Sequence, residues 1–201
     1  MTSTETPPSR PGQAQPPPLR FGEGVSMFLW SLAEASFLFI LPEVLLTFFA
    51  VQGRRRAVLM AMLWGLVGAV AGALLMYSWG GGTSVKVMTA FLDVIPGITR
   101  DMVHEVLRLL QLAGMPAVFV GMMQGIPGKL FAALSPQTGI ALGQFLLVFL
   151  FARAVLFTVA AAFAWGAAAI WRRLLPAISP LWAWGLFWLA FHALWFFGLP
   201  V

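Results

Sequence analysis

Four ionisable side chains lie inside long apolar runs of this 201-residue chain: Glu34, Glu43, Lys129 and Arg153. A charge at the centre of a membrane helix costs roughly 2.5–3.5 kcal/mol on insertion scales. Such residues therefore pair or face a watery cavity, and they often mark a path for a ligand. Two acids and two bases also neutralise one another, so a structural role explains them as well. Glu43 follows Pro42 in "FILPEVLLTF", and Lys129 follows Pro127 and Gly128 in "QGIPGKLFAA". A proline removes a backbone donor and clashes with the preceding turn. Each motif thus predicts a helix break, with Pro42, Pro127 and Gly128 as hinges and freed N–H groups beside a charge. Lys129 and Arg153 would supply two cations at that depth, which suits a phosphate or another anionic head. Competing placements exist for two of the four. Arg153 could snorkel to an interface, and Glu34, eight residues before Pro42, could be exposed at one.

The elements that must hold these residues are five apolar blocks: Val25–Val51, Ala57–Trp79, Met115–Ser135, Ile140–Trp171 and Ala177–Leu199. The chain is 60% hydrophobic and 9% charged, against about 45–50% and 25% in soluble domains. That composition reads as an integral membrane protein. A span needs about 20 residues. The second and fifth blocks satisfy this plainly. Gly65, Gly68 and Gly72 of the second block are spaced for close helix approach. Trp182, Trp184, Trp188 and Trp195 of the fifth read as interfacial anchors. The first and third blocks are poor continuous helices and read as helix pairs broken near their prolines, which membranes tolerate only where protein or water surrounds the break. Both carry an apolar residue, Pro, a charge within two positions, then Leu and an aromatic. Matching interruptions in two halves point to a transport site.

Between the halves, residues 94–112 predict an amphipathic interfacial helix capped by Thr99, with His104 on its polar face. Residues 1–24, polar and proline-rich, predict a disordered tail. The charge of +5 sits at segment ends, as at Arg54–Arg56 and Arg172–Arg173, a pattern of topology and headgroup contact rather than of a nucleic-acid surface. Counting basic residues gives seven against three whether the broken blocks span or turn back, so charge alone does not choose. There is no cysteine, and no metal-ligand, phosphate-loop or triad motif. No enzyme activity and no cofactor or metal is expected.

The segments "LPEVLL", "WGLVGAVAGALLMYSWG", "GIPGKLFAAL" and "FLFARAVLF" resemble the DedA/VTT-domain (SNARE-associated Golgi protein) superfamily, in its short, divergent bacterial branch. The likeness covers Ser31–Tyr77 and Gly114–Phe157. It lacks the second acid of the first hairpin and the Arg-x-x-Pro run of the second. The resemblance implies an all-α polytopic membrane fold. Two inverted re-entrant helical hairpins are each followed by a spanning helix (25–79 and 115–171), with the interfacial helix and a C-terminal span (177–199) added. It implies an inner-membrane transporter, flippase or scramblase of an anionic lipid such as a polyprenyl phosphate or phospholipid. Lys129 and Arg153 would receive the phosphate, while Glu43 would compete for those cations or carry the coupling proton; a proton or ion-coupling role is open to Glu34 as well. Membrane lipids are the expected partners, and a homo-oligomer is compatible with the chain. The rival expectation is a non-transporting scaffold that holds partners through the glycine face and the tail.

Overall fold

The structure, a computed structural model, describes residues 17–198. In chain order its helices are α1 (Phe21–Glu34), α2 (Glu43–Val51), α3 (Arg55–Gly81), α4 (Val85–Leu92), α5 (Arg100–Ala113), α6 (Met115–Met123), α7 (Gly128–Leu134), α8 (Leu142–Leu174) and α9 (Pro180–Gly198), with a 3₁₀ turn at Ser135–Thr138. There is no strand among the described residues.

Both proline-containing blocks are broken where their prolines predict. α1 ends as the N–H groups of Phe37 and Leu38 both turn back onto the Ala33 carbonyl. Pro42, lacking a donor, takes the N-cap of α2. In the third block Gly125 turns the chain at φ +90°, a conformation only glycine adopts freely, and Pro127 caps α7. The four short helices are about 21, 14, 14 and 11 Å long at 1.5 Å per residue, each below a hydrocarbon core of about 30 Å. α3 and α8 are continuous over 27 and 33 residues and are long and apolar enough to cross a membrane.

α3 and α8 run antiparallel. Gly65 faces Phe157, while twelve residues on Tyr77 stacks on Phe145, twelve residues earlier in α8, with ring centroids 5.7 Å apart. α1 runs alongside α3 in the same direction: Phe21 meets Trp64, Phe28 meets Gly68, and Leu32 meets Gly72. α2 then brings the chain back, since Arg54 at its end bonds Glu23 in the first turn of α1. The chain leaves the first pair at the end where it entered. α7 closes against the opposite end of α3, where Gly80 meets the Ala133 backbone and the Tyr77 hydroxyl donates to the Ile140 carbonyl at 2.5 Å.

The two halves exchange partners. α1 packs on α3 and α6 on α8, so the first helix of each pair lies on its own long helix. α2 packs chiefly on α8 and α7 on α3, so the second lies on the other half's. Close approach makes this feasible. A Cβ at Gly68 would overlap the Phe28 carbonyl, and one at Gly80 would overlap that of Ala133. The glycine face of α3 is therefore covered within the chain, chiefly by α1.

Several expectations are revised. Residues 1–16 of the expected tail lie outside the described residues, but Phe21–Gly24 are helical, with Glu23 accepting from the Arg20 N–H at 2.8 Å. The interfacial helix begins at Arg100 rather than 94, since Thr99 accepts from the Met102 N–H at 3.3 Å and fixes the start. An unforeseen helix, α4, precedes it, capped by Ser84. The apolar face of α5 (Val103, Val106, Leu110) is buried in the core against α6 and α7. His104 is exposed.

Large apolar side chains face outward along the long helices: Leu63 and Val67 on α3, Leu147 and Val159 on α8, Leu186 and Leu189 on α9. Only 39% and 33% of the most apolar stretches of α3 and α8 are buried. The core helix of a soluble protein would be mostly covered.

Candidate functional site

α1 ends at Glu34 and α2 begins at Glu43, so both carboxylates flank the first break, nine residues apart in sequence. Arg153, on the fourth turn of α8, reaches between them. Its guanidinium is in direct contact with Glu34 Oε2 and lies 3.5 Å from Glu43 Oε1. All three are buried, with 4%, 7% and 3% of their surface exposed. Glu34 is thus not at an interface, and Arg153 does not snorkel. The α2 N-terminus favours a carboxylate at Glu43 through its partial positive charge. Two hydrogen-bonding positions remain open here: Glu43 Oε2 and Arg153 Nε have no hydrogen-bond partner.

Lys129 takes a different place. It is fully buried in the first turn of α7 and donates to the Leu38 carbonyl, across the molecule in the first break. Its ammonium also stands over the Phe39 ring, 5.9 Å from the centroid. A second donor, the Trp30 indole, bonds the Ile40 carbonyl at 2.8 Å. The two breaks therefore meet, and side chains satisfy backbone carbonyls that the first one frees, as buried non-helical backbone requires. Pro42, Pro127 and Gly128 are buried at this meeting. Gly128 is pressed against Phe149, where a Cβ would come within 2.8 Å of the ring.

A cavity of about 710 Å³ opens from this cluster. Glu34, Glu43 and Arg153 line it, with Gly125, Pro127 and Gly128 of the second break. Lys129 is not part of its wall. Sequence reading paired Lys129 with Arg153 as cations. The structure instead joins Arg153 to two carboxylates and Lys129 to a carbonyl. With all three ionised, the cavity cluster carries one net negative charge.

From the cluster the cavity runs between α8 and α9. The α8 wall is made of small residues, among them Ala160, Ala164 and Ala167, and the α9 wall of Trp184, Phe187, Trp188, Phe191 and Trp195. Trp184, Trp188 and Trp195 therefore turn inward, contrary to their expected role as anchors; Trp182 alone of the four is largely exposed, at 71%. The sequence reading missed Thr47. It stands one turn after Glu43 on the same face of α2, and its Oγ1 accepts from the indoles of both Trp184 and Trp188 at 3.0 Å while donating to the Glu43 carbonyl at 2.6 Å. The signal was available: Glu43, Thr47 and Val51 recur every four residues, which puts a hydroxyl and a carboxylate on one helix face. His192 faces away from the cavity wall, with Nδ1 2.8 Å from the Trp188 carbonyl.

An ionic cluster whose single cation is shared by two carboxylates can release one of them without leaving a bare buried charge. Proton uptake by either acid leaves a neutral pair, whereas loss of the arginine leaves two unpaired anions. The site is thus suited to exchange a carboxylate for another anion at Arg153. In comparisons with known proteins, no family model, no curated protein and no solved structure matches the chain.

Proposed function

We propose that the protein is an integral membrane carrier of an anionic amphiphile, a lipid phosphate or phospholipid, working by proton-linked exchange at Arg153. The observation that carries this reading is the meeting of Glu34, Glu43 and Arg153, buried at the head of an apolar cavity between two helix breaks. α3, α8 and α9 cross the bilayer. The broken pairs α1–α2 and α6–α7 enter from opposite faces and turn back at its middle. Arg54 and Arg172, which bond the Pro18 and Val51 carbonyls, gather with Arg20, Arg55, Arg56 and Arg173 at one end, which the positive-inside rule makes cytoplasmic.

In the resting state Arg153 is held by both acids. Glu43, the more distant partner at 3.5 Å, is the one released. A proton on Glu43 removes its charge and frees one edge of the guanidinium, whose fork matches a phosphate or carboxylate. Glu34 keeps its hold and orients Arg153 throughout. Proton and anion thus occupy the site together, and the cluster keeps the same net charge before and after. Rocking of the broken pairs about Pro42 and Pro127 exposes the site to either face in turn.

The test is movement of a fluorescent short-chain phosphatidate in proteoliposomes, with and without a pH gradient. Arg153→Ala abolishes movement. Glu43→Gln, permanently uncharged, keeps exchange but loses its response to the gradient. Unchanged rates in both folded variants remove the cluster from the mechanism. If correctly folded wild-type protein moves no lipid, the structural, scaffold reading of the charges stands.

A further inference from the structure

We infer that the slot between α8 and α9 is a binding site for one hydrocarbon chain of the amphiphile, and that α9 is the wall that moves to admit it. The inference deepens the carrier reading and rests on it for the identity of the head.

The slot follows α8 from Arg153 to Trp171, about 27 Å at 1.5 Å per residue. Its apolar walls offer nothing to a soluble ion or metabolite. One end, however, carries the unpartnered Glu43 Oε2 and Arg153 Nε, on side chains 10% and 4% exposed. A long apolar channel with a charged group only at its head matches an amphiphile with one charged head. The room comes from the sequence: Ala160, Ala164 and Ala167 leave space that the aromatic side chains of α9 overlook without filling.

α9 is lightly held. Its main helix contacts are with α2 and α8, and its far end rests beside Gly97 and on Phe39, which stacks on Trp195 at 4.8 Å. The polar tie is Thr47, whose hydroxyl has one hydrogen to give and two lone pairs to receive. Its oxygen takes both indole N–H groups and its hydrogen goes to the Glu43 carbonyl, so its capacity is filled. This tie sits one turn from the carboxylate that binding must displace. A head that shifts Glu43 therefore disturbs the fastening of α9.

The experiment uses full-length protein in bicelles and two photoreactive C16 probes bearing a terminal diazirine, an alkyl phosphate and the neutral alcohol. Labelled residues are mapped by mass spectrometry. Outward-facing Leu147 and Leu189 report bulk contact with the probe and serve as internal controls. Both probes label the facing surfaces of α8 and α9. Ala160→Phe and Ala167→Phe, which fill the slot at two heights, cut that labelling about tenfold and leave the controls unchanged. Thr47→Val, of the same shape without the hydroxyl, speeds the appearance of slot label several-fold. If both probes label the slot equally and Arg153→Met changes neither, the chain site stands and the anionic-head reading fails. If slot labelling is absent, or persists in both filled variants, the chain site is refuted. An unchanged labelling rate in Thr47→Val refutes the moving wall.

Discussion

Replacing Arg153 by methionine is predicted to destabilise the protein far more than replacing either acid. Methionine fills much of the same space but leaves Glu34 and Glu43 buried without a cation. Removing one partner of a buried ion pair costs about 3–5 kcal/mol. Glu43→Gln is a different case. The 3.5 Å attraction it removes is worth about 5 kcal/mol gross at an effective dielectric near 20. It also ends the burial of one ion, which costs several kcal/mol, and leaves Arg153 and Glu34 as a neutral pair. These contributions nearly cancel, so Glu43→Gln should lie within about 1 kcal/mol of wild type, while Glu34→Gln, which loses the direct contact, falls between. The triple variant Arg153→Met/Glu34→Met/Glu43→Gln should recover much of the loss, because replacing a whole buried ionic group with uncharged side chains is often neutral. The assay is reversible unfolding in mixed micelles at fixed pH, followed by the fluorescence of the nine tryptophans. A loss in Glu43→Gln equal to that in Arg153→Met refutes the reasoning: Glu43 would then be a fixed strut, not a releasable partner.

Gly68→Val should push α1 from α3 and cost about 1–3 kcal/mol by overpacking, whereas Gly166→Ala, where a Cβ meets nothing within 4 Å, should be neutral or slightly stabilising; the same unfolding assay separates them. Lys129→Met leaves the Leu38 carbonyl without its donor, costing about 1–3 kcal/mol, and should raise hydrogen exchange across residues 35–42 before it affects α8. Arg54→Ala removes bonds to Glu23 at 2.9 and 2.8 Å and to the Pro17 and Pro18 carbonyls at 3.2 and 3.0 Å. It should cost about 2 kcal/mol and expose residues 17–24 to proteolysis, with little rescue by lysine, which has no fork.

Proline chemistry made the breaks legible: Pro42 and Pro127 each forbid a helical donor, and both sit where a short helix begins. The glycine spacing of α3 was legible in kind but not in target, since nothing local says that Gly68 meets Phe28 rather than another molecule. The four buried charges were legible because apolar runs make any charge conspicuous. Their pairing was not. Arg153 and Glu34 are far apart in sequence and meet only because α8 packs against the opening half of the chain. The aromatic face of α9 was read from composition, which cannot say inward from outward; the deciding group is Thr47, a single hydroxyl on another helix. Arg54 was read as a topology signal, and its role as a clamp on residues 17–23 depends on α2 turning back, which charge counting could not decide.

The two halves share a scaffold but not a charge pattern. Each gives its long helix a short helix of its own and lends another to its counterpart, which ties the halves together through both breaks. At matching places after the prolines stand Glu43 and Lys129, of opposite sign. Simple neutralisation would join them. Instead Lys129 closes the first break through the Leu38 carbonyl, and Glu43 shares Arg153 with Glu34. The second half thus supplies the first with one cation that holds its backbone and another that holds its acids. Only the latter faces the cavity. A chain built solely to cancel charge would not leave one carboxylate in excess beside open space, with an unpartnered oxygen. It is on this surplus of Glu43, more than on the presence of four buried charges, that the proposed exchange of anions rests.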